Sequence, residues 1–257
     1  MSTTFSKETG SGVSCGLGKR SEKFQSVKAA LGGMFQRQNV KNRVPEDECS
    51  SCRGSGWKIV PRLVGGIWTE CAEKCVCQTR KAMQIVVRNL PVAMQTMTLE
   101  NFDFSRVQPR KVFDDLLTQP NAGYLLDGPY GVGKTHLLVG LYMRTAVLSG
   151  NALLLSSREL MVQLTDEAKF LKTPVMTLAK SRGPFHLFWD DIDKVKETET
   201  RRELLFHLLD SMYVNDHRIS ATANTQLKDL EKTNIISGAL MRRIDEMIKF
   251  QVALVAK

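Results

Sequence analysis

A chain of 257 residues with 42% apolar and 25% charged content has the length of one or two domains and the make-up of an ordinary globular protein. Its longest apolar runs, NALLLS and FHLFW, fall far short of the roughly 20 residues that span a bilayer, and the polar start MSTTFSKETGSG has no apolar signal core, so the expectation is a cytosolic protein with no membrane segment. The net charge of +9 is unevenly spread: residues 1–100 hold 15 Lys and Arg against 8 Asp and Glu, whereas 101–257 hold 21 against 19. This N-terminal basic excess fits an acidic or nucleic-acid partner as well as it fits a solubilising surface.

Residues 1–21 lack hydrophobic periodicity and read as a disordered N-terminus. Phe24, Val27, Leu31, Met34 and Phe35 then follow helical spacing, interrupted by Gly32 and Gly33, the pattern of a short amphipathic helix that packs on its own domain or docks on a partner. The stretch DECSSCRGSGW at 47–57 opens a cysteine cluster: Cys49, Cys52, Cys71, Cys75 and Cys77 fall within 29 residues, with Cys15 far upstream. In a cytosolic chain such a cluster favours zinc over disulfides, and because zinc takes four tetrahedral ligands one of the five is spare. Gly54 and Gly56 permit the tight backbone that turns N–H groups toward the sulfurs, and WKIVPRLVGGIWTE reads as a β-hairpin turning at Gly65 and Gly66. The expected unit is a small zinc ribbon at 49–77, within an adaptor at 22–87, too small to keep its fold without metal.

From residue 122 onward apolar strands alternate with helical stretches. Strands are expected at 122–127, 151–156, 185–190, 218–223 and 248–254. Helices are expected from 133 to about 148, 158 to about 170, 199 to about 213 and 239 to about 247. Alternation of this kind means an α/β fold with a parallel sheet covered by helices on both faces, so the strands are buried on both sides.

The first strand runs into GPYGVGKT, residues 128–135, which satisfies the P-loop pattern and opens a helix. Backbone N–H groups and the helix N-terminus suit phosphates. The nucleotide-binding stretch is therefore Gly128, Pro129, Tyr130, Gly131, Val132, Gly133, Lys134, Thr135 and His136, with Lys134 reaching the β- and γ-phosphates of ATP and the Thr135 hydroxyl ligating Mg2+. HLFWDDID supplies the acidic strand end. Asp190 stands at the Walker B position for Mg2+, Asp191 is placed to polarise the attacking water, Asp193 reads as a turn cap and His186 as a buried core histidine. The fourth strand ends in SATANTQ, where Asn224 is the polar side chain for the γ-phosphate and lytic water.

GYLLDGPYGVGKTHLL, LFWDDID, SATANTQL and ALMRRIDEM, in this order and spacing, resemble the AAA+ ATPases of the DnaC, DnaI and IstB group, over roughly residues 88–257. The resemblance implies an AAA+ domain without a C-terminal helical lid, the paired aspartates as Walker B, Asn224 as sensor 1, and Arg243 as a finger acting on a neighbouring subunit, with Arg242 its rival. It also implies that a C-x-C closes the zinc module, which makes the ligands Cys49, Cys52, Cys75 and Cys77, with Cys71 the alternative to one of the last two. The function implied is a bacterial or phage helicase loader that uses ATP and single-stranded DNA to deliver a hexameric replicative helicase, self-associates through its ATPase domain, and grips the helicase with the N-terminal module. Two alternatives stand beside it: an IstB-like transposition ATPase on duplex DNA, and a nucleotide-gated scaffold in which Asp191 hydrolyses ATP poorly. Lys169, Lys172, Lys180 and Arg182 occupy the position where initiator-type relatives carry a DNA-contacting helix.

Overall fold

Two kinds of strand follow from two kinds of apolar pattern, and they build two units, Met1–Gln78 and Thr79–Lys257. The computed structural model describes residues 49–108, 119, 122–165, 167–195, 198–225, 229 and 238–256. The expected N-terminal disorder, the amphipathic pattern at 24–35 and Cys15 lie outside the described residues.

In the first unit, β1 (Trp57–Val64) pairs antiparallel with β2 (Ile67–Lys74) in a register that sets Val64 opposite Ile67. The two-residue turn between them needs positive φ at both positions, and Gly65 (φ 59°) and Gly66 (φ 84°) supply it. Burial in this unit is sparse: among its described residues only Cys52, Gly56 and Cys75 are buried. Trp57, Ile59, Leu63, Val64, Ile67 and Trp68 are all exposed. A hairpin with so little apolar burial does not hold itself together through the hydrophobic effect.

Helix α1 (Val76–Arg88) begins at the second cysteine pair, a helix the sequence reading did not mark. Its Met83, Val86 and Val87 pack with Leu90, Val139 and Met143, so tertiary burial carries a segment whose β-branched Ile85, Val86 and Val87 lower helix propensity.

The second unit is a six-stranded sheet in the order β3-β8-β4-β7-β6-β5, made of β3 (Val107–Gln108), β4 (Tyr124–Asp127), β5 (Ala152–Ser156), β6 (His186–Asp190), β7 (Arg218–Ala223) and β8 (Phe250–Leu254). All neighbours run parallel except the short β3, which is antiparallel to β8. β6 is buried at every position, as expected for a central parallel strand, whereas β8 alternates and β5, at the edge, is buried only at Leu153 and Leu155. The expectation of strands buried on both sides therefore holds for the centre of the sheet and is corrected at its margins. α2 (Lys134–Ser149) buries Leu137, Leu138, Val139, Leu141 and Met143, and ends where Gly150 takes φ 72° and its N–H bonds Ala146 O.

The helix expected at 158–170 is two short ones, with a third beyond it that the pattern did not predict. α3 (Ser157–Gln163) is opened by a capping box between Ser156 and Glu159; α4 (Glu167–Phe170) follows, and α5 (Pro174–Ala179) starts afresh with Thr173 as cap and proline in its first turn. α6 (Glu199–Val214) and α7 (Gly238–Met247) complete the described helices of eight residues or more.

His186 is the core histidine the sequence indicated. It stacks on Phe188 with ring centroids 4.2 Å apart, and its Nε2 lies 2.8 Å from Ser220 Oγ, which itself accepts the Tyr124 N–H. Ser220 thus has its hydroxyl proton to give, which suits a neutral imidazole. Burial, with Arg218 as the lesser cause, holds His186 down to about 3. The unfolded chain binds this proton below the ordinary histidine pKa of about 6.5 and the folded chain does not, so stability falls as pH drops from about 6.5 toward about 3. Thermal unfolding should show that slope, and His186→Gln should flatten it.

Candidate functional site

β4 delivers the chain into the loop 128–133, and α2 carries it away. At Gly128 a side chain is excluded twice over: φ is 147°, and a Cβ would lie 2.3 Å from Leu254 O on the neighbouring β8. Lys134 is buried, and its Nζ donates to Gly128 O and Pro129 O at 2.8 Å each, which curls it over the loop. Tyr130 is 77% exposed at the lip, its ring 5.7 Å from Lys134 Nζ and 5.9 Å from Lys194 Nζ. Two residues of the expected phosphate stretch contribute no side chain to it. Val132 is buried in the core, and His136 Nε2 bonds Thr98 O at 2.9 Å while its ring packs edge-on to Phe102, so what they offer the loop is backbone N–H.

The Walker B carboxylate meets the P-loop hydroxyl directly. Thr135 Oγ1 donates to Asp190, 3.0 Å from Oδ1 and 3.3 Å from Oδ2, and Thr222 Oγ1 donates to the same Oδ1 at 2.7 Å. Burial raises Asp190 above the ordinary carboxylate range, opposed by those two hydroxyls and aided by the adjacent Asp191 charge. A hydroxyl and a carboxylate converging from two elements are hard oxygen ligands of the kind Mg2+ takes, and they fit that ion.

Thr222 was not singled out in the sequence, yet its signal was there. In RISATAN the polar residues Ser220, Thr222 and Asn224 alternate with apolar ones along a buried strand and its exit, so all three leave β7 on one face. Ser220 bonds His186, Thr222 bonds Asp190, and Asn224 bonds Asp193.

Asp191 is held from several sides. It takes φ 58°, its N–H donates to Thr222 Oγ1, its carbonyl accepts from Ser157 Oγ, and Lys194 Nζ sits 2.6 Å from Oδ2. Asp193 is not a turn cap. Its Oδ2 accepts from the Asn224 backbone N at 3.0 Å and from Asn224 Nδ2 at 2.8 Å, because the turn after β6 folds back over the end of β7. Lys134 is pushed down by burial, and the opposing carboxylates act in the order Asp193, Asp191, Asp190.

Arg243 faces its own chain: it pairs with Asp210 at 3.1 Å and Glu246 at 3.4 Å, and lies 4.4 Å from the Tyr213 ring centroid. Arg242, one residue earlier on α7, is exposed. Lys169, Lys172, Lys180 and Arg182 are exposed too, around an α5 that buries Val175, Met176, Leu178 and Ala179.

In the first unit the sulfurs of Cys49, Cys52, Cys75 and Cys77 lie within 4.8 Å of one another, with 3.7 Å between Cys49 and Cys75 and 3.4 Å between Cys52 and Cys77. Thiolates around tetrahedral zinc, with Zn–S bonds of about 2.3 Å, are about 3.8 Å apart, so the group fits the ion. Gly56 N–H points at Cys52 Sγ from 3.3 Å, the knuckle geometry expected of this glycine. The Ser51 backbone, then Cys75, bring the Cys49 thiol down to about 6, while Cys52 above all pushes Cys77 up to about 12; four thiols this close do not all ionise without a cation among them. Cys71 lies on β2, outside the group.

Residues 108–244 match the model of the bacterial DnaA ATPase domain. The chain belongs to the bacterial DnaA ATPase-domain family. That membership makes the second unit an AAA+ ATPase domain, as the motifs implied. Among solved structures, the fold is similar to a primosome component from Streptococcus pyogenes, described as putative, at 18% identity and TM-score 0.50 over 66% of this chain and 95% of that one. A structure of DnaI matches at 19% identity and TM-score 0.49 over 66% of this chain and 93% of that one. AMPPCP-bound DnaA from Aquifex aeolicus matches at 20% identity and TM-score 0.49 over 63% of this chain, and the chain spans about half the length of that structure and of a DNA replication initiation factor that it also matches. Among the described residues of this DnaA-family chain, no helix is long and apolar enough to cross a membrane.

If Lys134 swings from Gly128 O and Pro129 O to the phosphates when ATP binds, Lys134→Ala should weaken ATP binding, measured by calorimetry, on the order of a hundredfold. In native mass spectrometry the full chain should carry one zinc ion. Cys49→Ser or Cys77→Ser should release it and unfold the hairpin, whereas Cys71→Ser should retain it; zinc lost from Cys71→Ser and kept by Cys77→Ser would overturn this ligand set.

Proposed function

We propose that the protein is an ATP-hydrolysing helicase loader of DNA replication, in which a zinc-bound module recognises a hexameric replicative helicase and the AAA+ unit, with Mg2+ and ATP, binds single-stranded DNA and assembles with copies of itself. The observation that carries this reading is the pairing of two sites in one chain: a four-sulfur hairpin unit with exposed tryptophans, and a P-loop whose Thr135 is bonded to Asp190. The likeness to the primosome component, which this chain spans almost end to end, supports the loader over an initiator. The zinc, held by Cys49, Cys52, Cys75 and Cys77, supplies the folding free energy that the exposed hairpin lacks.

In the ATPase unit Lys134 neutralises the β- and γ-phosphates, Thr135 and Asp190 hold Mg2+, Asn224 contacts the γ-phosphate side, and Asp191 polarises the attacking water. Arg243 serves as the finger toward a neighbouring subunit, which requires it to leave Asp210 and Tyr213 on assembly; Arg242 is the alternative already exposed. The cations at 169–182 provide the basic surface for the DNA backbone. A second reading, a nucleotide-gated scaffold with slow turnover, is favoured by one feature, the Lys194 ammonium that occupies Asp191.

Mixing inactive Lys134→Ala with inactive Arg243→Ala should restore partial ATP turnover, because one mixed interface pairs an intact P-loop with an intact finger. Rescue by Lys134→Ala mixed with Arg242→Ala, and not with Arg243→Ala, would move the finger by one residue. Purified replicative helicase and single-stranded DNA should each raise turnover, and the DNA effect should fade steeply between low and physiological salt. Tight ATP binding with turnover at background under all these conditions would favour the scaffold.

A further inference from the structure

Three aspartates end β6 and the turn after it, and the fold treats each differently. Asp190 sits between two threonine hydroxyls, and Asp191 is matched by the Lys194 ammonium. Asp193 has neither arrangement. One of its oxygens, Oδ2, takes both donors that Asn224 presents, the backbone N–H at 3.0 Å and the side-chain amide at 2.8 Å. The other, Oδ1, is buried and meets no protein donor.

Two consequences follow from the chemistry of the groups. A carboxylate only accepts hydrogen bonds, so it must face the NH2 end of the Asn224 amide; the carbonyl oxygen and the second amide proton are thereby turned away from Asp193 in one fixed sense. With the main-chain N–H held by the same oxygen, the asparagine is tied at two points, and its rotamer does not depend on a bound ligand. A buried carboxylate oxygen lacking a donor is costly, on the order of 1 to 3 kcal/mol. Such an atom is explained by strain, by a catalytic role, or by a water or ion at the site.

The place is right for that. Asp193 leads the carboxylates acting on Lys134 across the loop, and Tyr130 at the lip of the loop is flanked by Lys134 and by Lys194, the residue after Asp193.

We propose that Asp193 is a positioning residue of the nucleotide site: it sets the Asn224 amide for the γ-phosphate side, and its second oxygen accepts from a water that enters with the magnesium–nucleotide complex. The inference rests on reading the P-loop as an ATP site. It adds a third acidic residue to the two of Walker B and makes Asp193 and Asn224 one functional unit.

A double-mutant cycle on the full chain tests it. Asp193→Ala, Asn224→Ala and the double variant are compared with the unchanged protein in ADP affinity, ATP affinity and turnover, at protein concentrations where melting curves show each variant folded. ADP affinity should stay within about twofold, while turnover at saturating ATP falls about tenfold or more in each single variant, the scale of a charge-assisted hydrogen bond. The double variant should be no more than about twofold slower than the worse single one, since both substitutions break the same unit. Asp193→Asn, which keeps an acceptor for the Asn224 amide but not the charge, should recover part of the loss. Turnover of folded Asp193→Ala within twofold of the unchanged protein, or losses that multiply in the double variant, overturn the inference and leave the ATP site standing. Failure of the unchanged protein to bind either nucleotide removes the ATP site itself, and this inference with it.

Discussion

The bond between Thr135 and Asp190 joins the first residues of α2 to the tip of β6, and the site is organised around it. Asp190 is buried, and a buried carboxylate is tolerable only when its oxygens are occupied. Two hydroxyls, from Thr135 and Thr222, occupy them here: Thr222 on the neighbouring strand β7, and Thr135 on the helix that follows β4, the next strand beyond β7. β6 lies next to β7, β7 next to β4, and β4 leads into the P-loop. The parallel arrangement brings all three strand ends to one edge, which is where an open α/β sheet places its ligands. Sheet register is therefore the physical cause of the site: slipping β7 by one residue would turn Ser220, Thr222 and Asn224 away from β6 together.

The first unit solves a different problem. Among its described residues few are buried, and two of these are cysteines, so the zinc proposed for the four sulfurs would supply the stability that apolar burial does not. In return it can leave large apolar residues on its surface. Trp57, Ile59, Leu63 and Trp68 occupy one face of the hairpin by strand alternation, and Lys58 and Arg62 occupy the other. A hydrophobic core would have consumed the apolar face; a unit held by a metal would leave it available.

Arg243 shows how the same residue reads differently at two levels. From the motif it is a cation for a neighbour's phosphate, and in the isolated chain it satisfies Asp210, Glu246 and the Tyr213 ring. Partly exposed ion pairs of this kind are weak, typically under about 1 kcal/mol, so such a contact yields to a better-matched anion. Lys194 on Asp191 is a second, partly exposed pair of the same sort, close to Tyr130 at the lip of the P-loop. Both belong to a chain whose charges are arranged for what arrives.

What the sequence determined by itself were the features written in local pattern. The P-loop needs glycines and a lysine at fixed offsets, the hairpin turn needs two residues of positive φ, and a central parallel strand needs an unbroken apolar run; each is legible in GPYGVGKT, VGGI and HLFW because the constraint acts within a few residues. The four cysteines could be chosen from five only with a family resemblance in hand, since spacing leaves Cys71 open and the strand pairing is what carries it out of the group. Tertiary structure alone decided the rest. The break before α5 comes with the Thr173 cap and the proline that follows it, and α1 forms because Met83, Val86 and Val87 pack, partly buried, against Leu90, Val139 and Met143. Thr222 acquires its role from Asp190, 32 residues away, and Asp193 from Asn224, 31 residues away. A hydrogen bond of that separation depends on which strands become neighbours, and that choice is made by burial over the whole sheet.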